Sequence, residues 1–391
     1  MSTPPRLPDE LILEIFRNKS LSTGDLAILC LITRRFLNQV RRSLYESVLV
    51  YLAEERQEVH SDSDSDNDSS DRIVYTLRSW QLPRTFQDSP NLAALVDHLH
   101  FHFEIVWHRD SVVTGVVASQ KVACLTFLRL ARRTSKISAS RFESNAHLQD
   151  AIGKTRKCRE RITHLDVDTS QGLAFPSLST LLPNLLHLKI DSLQPRILDL
   201  PIFQGLVSLD IGNSNSILEY TPFLLSARST LRQLRINLSI LIEISGSNDL
   251  SDFPALIFLH VYRSGKPAGI DSLTRIEHVL DFWKSICRST SLRTLSFSGS
   301  TYDYYELVLF SHELALTGIK NLNTLNTIRF EGNVPVDRLA AILGWPMFPA
   351  LRRIVLPTKV REDEAATRQR KILAVSAMCE GTGIEVMLSD D

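Results

Sequence analysis

His98, His100 and His102 stand two residues apart, the spacing at which side chains of one β-strand share a face. Imidazoles carry protons near neutral pH and ligate metals, so such a strand could hold an ion and is pH-sensitive in principle. A metal site needs further ligands, and no second cluster with ligand spacing stands in the chain. The histidine triplet therefore reads as an exposed polar strand face, and no metal and no cofactor are expected. A second group mixes His with acid: His164, Asp166 and Asp168, then His187, Lys189 and Asp191. Asp166 and Asp168 could pair as acid and base, but alternating acids on a strand are usually solvated. A third group holds Arg235, Phe258, His260 and Tyr262, followed by Thr294, Ser296, Thr327, Arg329, Glu331 and Arg353. Arg and aromatic side chains dominate binding hot spots. His187, Lys189, Arg235, Phe258, His260, Tyr262 and Arg329 are therefore the candidate binding surface for a target.

Catalytic signatures are absent from the sequence. There is no G-x-S-x-G, no phosphate-cradling Gly-rich loop and no H-E-x-x-H. The five cysteines are scattered without a C-x-x-C pair, and Cys124, Cys158 and Cys287 have no neighbours typical of a nucleophile. No catalytic residue is assigned; an active site assembled only by the fold is the remaining alternative.

The elements that would position these residues follow from periodicity. One pattern returns along the chain: apolar, two residues, apolar, one residue, apolar. It is seen at Val96-Leu99-Phe101, Ile162-Leu165-Val167, Leu185-Leu188-Ile190 and Leu206-Leu209-Ile211. It continues at Leu231-Leu234-Ile236, Leu256-Leu259-Val261, Leu292-Leu295-Phe297, Leu325-Ile328-Phe330 and Leu351-Ile354-Leu356. Each is read as a short strand that buries alternate residues, preceded by a return segment. Stretches such as Pro183-Asn184, Phe253-Pro254 and Phe348-Pro349 punctuate the repeats. Glu362 to Cys379 reads as a helix and Ile384 to Leu388 as a last strand. Between Ser111 and Cys158 the assignment stays open: Val122-Leu125-Phe127 fits a strand, whereas Leu125, Leu128 and Leu130 fit a helix.

Ahead of the repeats, three short amphipathic runs fill the N-terminus: Leu11, Ile12, Ile15 and Phe16; then Leu26, Leu29 and Cys30; then Leu37, Val40 and Leu44. Pro8 suits a first helical turn, and Asp9 and Glu10 favour the positive end of that helix. The run Leu7-Pro8-Asp9-Glu10-Leu11, Ile15-Phe16, Asp25-Leu26 and Leu29 to Phe36 resembles the F-box. The repeats resemble, in degenerate form, the leucine-rich repeats commonly joined to F-boxes. The expected fold class is thus α/β, with an N-terminal three-helix F-box over residues 1–46. An irregular leucine-rich-repeat-like α/β solenoid follows over 47–391, interrupted by an acidic disordered insertion at 54–72.

That resemblance implies a substrate-recognition subunit of an SCF-type (Skp1-cullin-F-box) ubiquitin ligase, a non-catalytic adaptor. Leu7, Pro8, Leu11, Ile12, Ile15, Leu26, Leu29, Ile32 and Phe36 would bind the Skp1 adaptor. The repeats would bind an unknown target protein, whose lysine is held near a charged enzyme of the cullin-RING ligase. The alternatives are a Skp1-binding scaffold outside the ligase, or an enzyme with its active site on the concave face. Ser61, Ser63 and Ser65 each precede an acid by three residues, the spacing of an acidophilic kinase site.

Composition narrows the partners. Lys and Arg total 44 and Asp and Glu total 44, so net charge is zero and nucleic acid is not expected as a partner. No apolar run reaches membrane-spanning length and no secretory signal opens the chain, so no membrane is expected. The expected location is cytoplasmic, nuclear or both.

Overall fold

A computed structural model describes residues 37–57, 72–77, 81–106, 116–117, 120–142, 145–169, 181–190, 205–211, 224–237, 241, 252–262, 288–298, 323–331, 348–357 and 365–389. The chain divides into two compact units, Met1–Leu185 and Leu186–Asp391.

In the first unit α1 (Leu37–Glu46) runs without a break into β1 (Ser47–Gln57). β1 pairs antiparallel with β2 (Arg72–Leu77) and parallel with β3 (His98–Val106). The two-residue β4 (Val116–Val117) adds antiparallel to β2. On the other side β5 (Lys136–Phe142) and β6 (His164–Thr169) extend the sheet in parallel, giving the order β6-β5-β3-β1-β2-β4. Parallel neighbours need crossovers. Here these contain α2 (Gln81–Asp88) and α3 (Pro90–Ala93) before β3, and α4 (Gln120–Leu130) before β5. α5 (Asn145–Gly153) and α6 (Arg156–Arg159) precede β6. Strand alternation turns Leu99, Phe101, Ile137, Ala139, Leu165 and Val167 inward, and all are buried. Helical residues Val40, Phe86, Phe127, Leu128 and Ile152 are buried too. The rings of Phe86 and Phe127 meet edge-on at 6.4 Å, joining α2 to α4.

The second unit is an all-parallel sheet whose strands follow chain order. They are β7 (His187–Ile190), β8 (Ser208–Ile211), β9 (Gln233–Asn237), β10 (Phe258–Tyr262), β11 (Thr294–Ser298), β12 (Thr327–Glu331), β13 (Arg353–Pro357) and β14 (Glu385–Ser389). α7 (Ala365–Cys379) precedes β14. Gly381 and Gly383, at φ 78° and 74°, turn the chain between them in a region that disfavours any residue with a Cβ. One device sets the register throughout. The carbonyl just before each strand from β7 to β12 accepts two successive N–H groups from the start of the next, and the Arg352 carbonyl before β13 accepts Glu385 N. Arg232 O takes Ile257 N and Phe258 N at 2.9 and 3.0 Å, and Ile257 O takes Arg293 N and Thr294 N at 2.9 and 3.0 Å. A carbonyl has two lone pairs, so both donors are satisfied and the strands start in step.

The apolar triplets of the sequence lie on strands or just before them, and their side chains are buried. The fold class inferred from them is corrected. The described residues do not form a three-helix F-box followed by a leucine-rich-repeat solenoid. They form α/β sheets with interspersed helices, mixed in the first unit and all-parallel in the second. The last helix of the expected F-box is not part of a free-standing helical module. It packs on α3 and β1 within the first α/β unit, with Val40 fully buried. The triplet marks any short parallel strand that buries alternate residues, so it specifies a strand and its inner face but not the architecture. Between Ser111 and Cys158 the helix wins: Val122, Leu125 and Phe127 lie in α4, and the strand is Lys136–Phe142.

Candidate active site

The outer face of the second sheet presents one residue in two from each strand. Parallel pairing without shift aligns them in rows. Asp210, Arg235, His260, Ser296 and Arg329 form one row. Asn237, Tyr262, Ser298 and Glu331 form the next. Tyr262, Ser298 and Glu331 are the last residues of β10, β11 and β12. Carboxyl ends of parallel strands are where open α/β sheets place their ligands.

His260 is the centre. It is only 1% exposed, although it sits on the face opposite the apolar core. Its Nε2 lies 2.9 Å from Ser298 Oγ and its Nδ1 2.9 Å from Ser296 Oγ. Glu331 Oε1 stands 3.6 Å from the same Nδ1. Phe258 stacks along the ring at 6.5 Å and Tyr262 flanks it at 6.2 Å. The Tyr262 hydroxyl donates to the Ile211 carbonyl, which fixes that ring. Arg235 lies over Tyr262 at 5.7 Å and 3.7 Å from Asp210 Oδ2. On the other side Arg329 Nε is 3.4 Å from Glu331 Oε1.

Burial pushes the His260 pKa down, and the guanidinium groups of Arg235 and then Arg329 push it further, to about 3. The ring is therefore neutral at pH 7, and its contact with Glu331 is an ion–dipole contact rather than an ion pair. A neutral imidazole has one N–H. The carboxylate beside Nδ1 favours the proton there, donated to Ser296 Oγ, so Nε2 is left to accept the Ser298 hydroxyl proton. Ser296 is fully buried, whereas Ser298 is partly exposed. The result is a reachable hydroxyl on a neutral base, with a buried hydroxyl and a carboxylate behind that base.

The first unit has a related array. His98 Nε2 lies 2.7 Å from Ser138 Oγ, and His102 Nδ1 lies 2.8 Å from Ser140 Oγ. His100 meets the His98 ring edge-on and stacks on His102, 6.3 Å from each centroid, and Tyr51 stacks on His102 at 5.6 Å. Burial lowers the pKa of His98 and of His100, and each neighbouring imidazole adds to this. Among the described residues no group of three His, Cys, Asp or Glu is placed to hold a metal ion. Among the described residues Cys124, Cys158 and Cys379 are buried thiols with raised pKa values, Cys158 at about 11. The thiolate needed of a nucleophile is thus disfavoured.

The residues expected to bind Skp1 (Leu7, Pro8, Leu11, Ile12, Ile15, Leu26, Leu29, Ile32 and Phe36) lie outside the described residues, as do Ser61, Ser63 and Ser65. Of the expected target-binding set, Arg235, Phe258, His260, Tyr262 and Arg329 come together. His187 and Lys189 lie on β7, opposite Ser208 and Asp210. Ser298 escaped the sequence reading, and Ser296 and Glu331 stood on the face without a role. The available signal was the register: the apolar triplets of β10, β11 and β12 align His260 with Ser296 and Arg329, and Tyr262 with Ser298 and Glu331.

The chain matches no family model and no curated protein. The F-box and leucine-rich-repeat resemblance is corrected by the α/β sheets and the His–Ser networks they carry. The non-catalytic ubiquitin-ligase adaptor it implied is corrected with it. A buried histidine bonded to two serines beside a carboxylate makes this face a candidate catalytic centre rather than a flat adaptor surface.

Proposed function

We propose that the second unit is a serine-dependent hydrolase acting on esters that carry a negative charge. The observation that carries this reading is the line Ser298 Oγ–His260 Nε2 at 2.9 Å, with Ser296 Oγ at 2.9 Å and Glu331 at 3.6 Å from the other ring nitrogen. Nucleophile, base and orienting groups within reach of one another are the recurring geometry of acyl transfer. Ser298 Oγ attacks the ester carbonyl carbon while His260 Nε2 takes the hydroxyl proton. The C–O bond to the leaving group then breaks, and the imidazolium returns its proton to the departing alkoxide. Water repeats the cycle on the acyl-serine, releasing the acid and restoring the Ser298 hydroxyl.

Arg235 and Arg329 flank His260 and oppose its protonation. An anionic group of the substrate between them offsets that charge and strengthens the base only when substrate is bound. The same guanidinium groups balance the negative charge that develops on the carbonyl oxygen.

The test is labelling with a fluorophosphonate, together with hydrolysis of a p-nitrophenyl ester bearing a carboxylate. Wild type is expected to label at Ser298. Ser298→Ala should lose the label and lower the ester rate on the order of 10³-fold. Labelling at another residue, or ester turnover unchanged in Ser298→Ala, would overturn the reading.

A further inference from the structure

The helical side of the first unit carries a strongly positive cleft that the serine–histidine chemistry does not use. α4 ends in Arg129-Leu130 and is followed by Ala131-Arg132-Arg133. α6 and its flanks read Lys154-Thr155-Arg156-Lys157-Cys158-Arg159-Glu160-Arg161. Ala131 and Cys158 are buried, which seats both stretches on the core and leaves most of their basic residues outside. Between them lies a cleft of about 420 Å³ lined by Arg132, Arg133, Lys157, Glu160 and Arg161. All five residues are exposed.

The nearby acids are already engaged. Asp150 binds Lys154 at 2.9 Å, and Glu160 binds Arg156 at 3.1 Å from outside the cleft lining. Arg132 Nε donates to the Arg129 carbonyl at 3.2 Å, which holds that side chain in place. Next to the cleft, Arg159 Nε is buried with no hydrogen-bond partner among the described residues. Three guanidinium groups and one ammonium thus face one cavity in a chain of zero net charge. Their mutual repulsion is unfavourable until an anion enters.

The lining selects among anions. Guanidinium forks match pairs of phosphate oxygens, and an ammonium supplies a point charge. No aromatic side chain lines the cleft, so it has no face on which a base could stack. Its volume lies in the range of small-ligand sites, whereas a nucleic acid needs an extended positive track. We infer that this cleft binds a small phosphate-dense anion of the pyrophosphate or tripolyphosphate class through Arg132, Arg133, Lys157 and Arg161.

Calorimetric titration of the full chain with inorganic tripolyphosphate tests this, with pyrophosphate, sulfate and citrate at matched ionic strength. Tripolyphosphate is expected to bind one to one and at least about tenfold tighter than sulfate or citrate. The double variant Arg133→Gln, Arg161→Gln should weaken it by at least about tenfold without lowering the thermal midpoint of the free protein, and Lys154→Gln should leave tripolyphosphate binding unchanged. Three results would each overturn the inference. One is equal binding of all four anions, or none. The second is tripolyphosphate affinity indifferent to the double variant. The third is a single-stranded oligonucleotide that outcompetes tripolyphosphate with an affinity that grows with its length.

Discussion

His260 is held between opposing demands. Its two ring nitrogens are saturated by Ser296 and Ser298, which lock its orientation, while burial and two guanidinium groups keep it from holding a proton. A base with a pKa of about 3 stays available across the whole neutral range. The kcat/KM profile of ester hydrolysis should therefore show its acid limb near pH 3 rather than near the ordinary imidazole value of about 6.5. Arg329→Gln removes one of the charges that lower it, so its acid limb should move to higher pH. A rate profile with an unchanged limb in that variant would show that Arg329 does not face the reacting base. Ser296→Ala keeps the nucleophile but removes the acceptor of the Nδ1 proton; the rate should fall while Ser298 still labels.

Three adjacent strands, β10 to β12, carry the whole serine–histidine line. Their inner residues Leu259, Leu295 and Ile328 are buried under the outer residues His260, Ser296 and Arg329. Because side chains alternate, a register slip of one residue would send His260 inward and Leu259 outward, dismantling site and core together. Leu259→Ala leaves a cavity beneath this point. It should cost about 2–5 kcal/mol of stability, read as a lower urea midpoint, and reduce ester turnover at temperatures where the protein is still folded. The paired acceptance of two N–H groups by the preceding carbonyl, repeated along the second sheet, is what makes such slips costly.

Across the chain, 44 basic and 44 acidic residues cancel, yet they are unevenly placed, with a basic edge at α4 and α6. Buried and half-buried imidazoles contribute to the response to acid. His98, His100 and His260 all have pKa values lowered in the folded state, first by burial. Below the unfolded value near 6.5 the unfolded chain binds protons that the folded chain refuses, so stability rises with pH through this window. It is fully present above about pH 6.5 and is lost as pH falls, for His260 down to about pH 3. Urea midpoints measured between pH 7.5 and 4.5 should fall steadily. His260→Gln, which cannot take up a proton, should flatten part of that slope at the cost of a lower midpoint at pH 7.5.

Much of the local structure was legible. The triplets ending in Phe101, Ile190, Val261 and Phe330 named the strands and their inner faces, because alternation depends only on neighbouring residues. Arg235, Phe258, His260, Tyr262 and Arg329 were picked out as one face for the same reason. What the residues do there was not legible. A histidine at an outward position reads as solvated, yet His260 is buried because Phe258, Tyr262, Ser296 and Ser298 crowd it along its own strand and from the next. Its pKa is depressed first by that burial and then by Arg235 and Arg329, 25 residues before it and 69 after it in the chain, brought close only by pairing with β9 and β11–β12. The same holds for the cleft: Arg133 and Arg161 are far apart in sequence, and their repulsion exists only once the fold brings both to line one cleft. Alternation and apolar spacing, carried by the sequence alone, determined which residues are strand, inside and outside. Which architecture those strands build, and which outward side chains meet with what charge between them, was decided by the tertiary structure, because desolvation and Coulomb interactions depend on distances that local sequence does not contain.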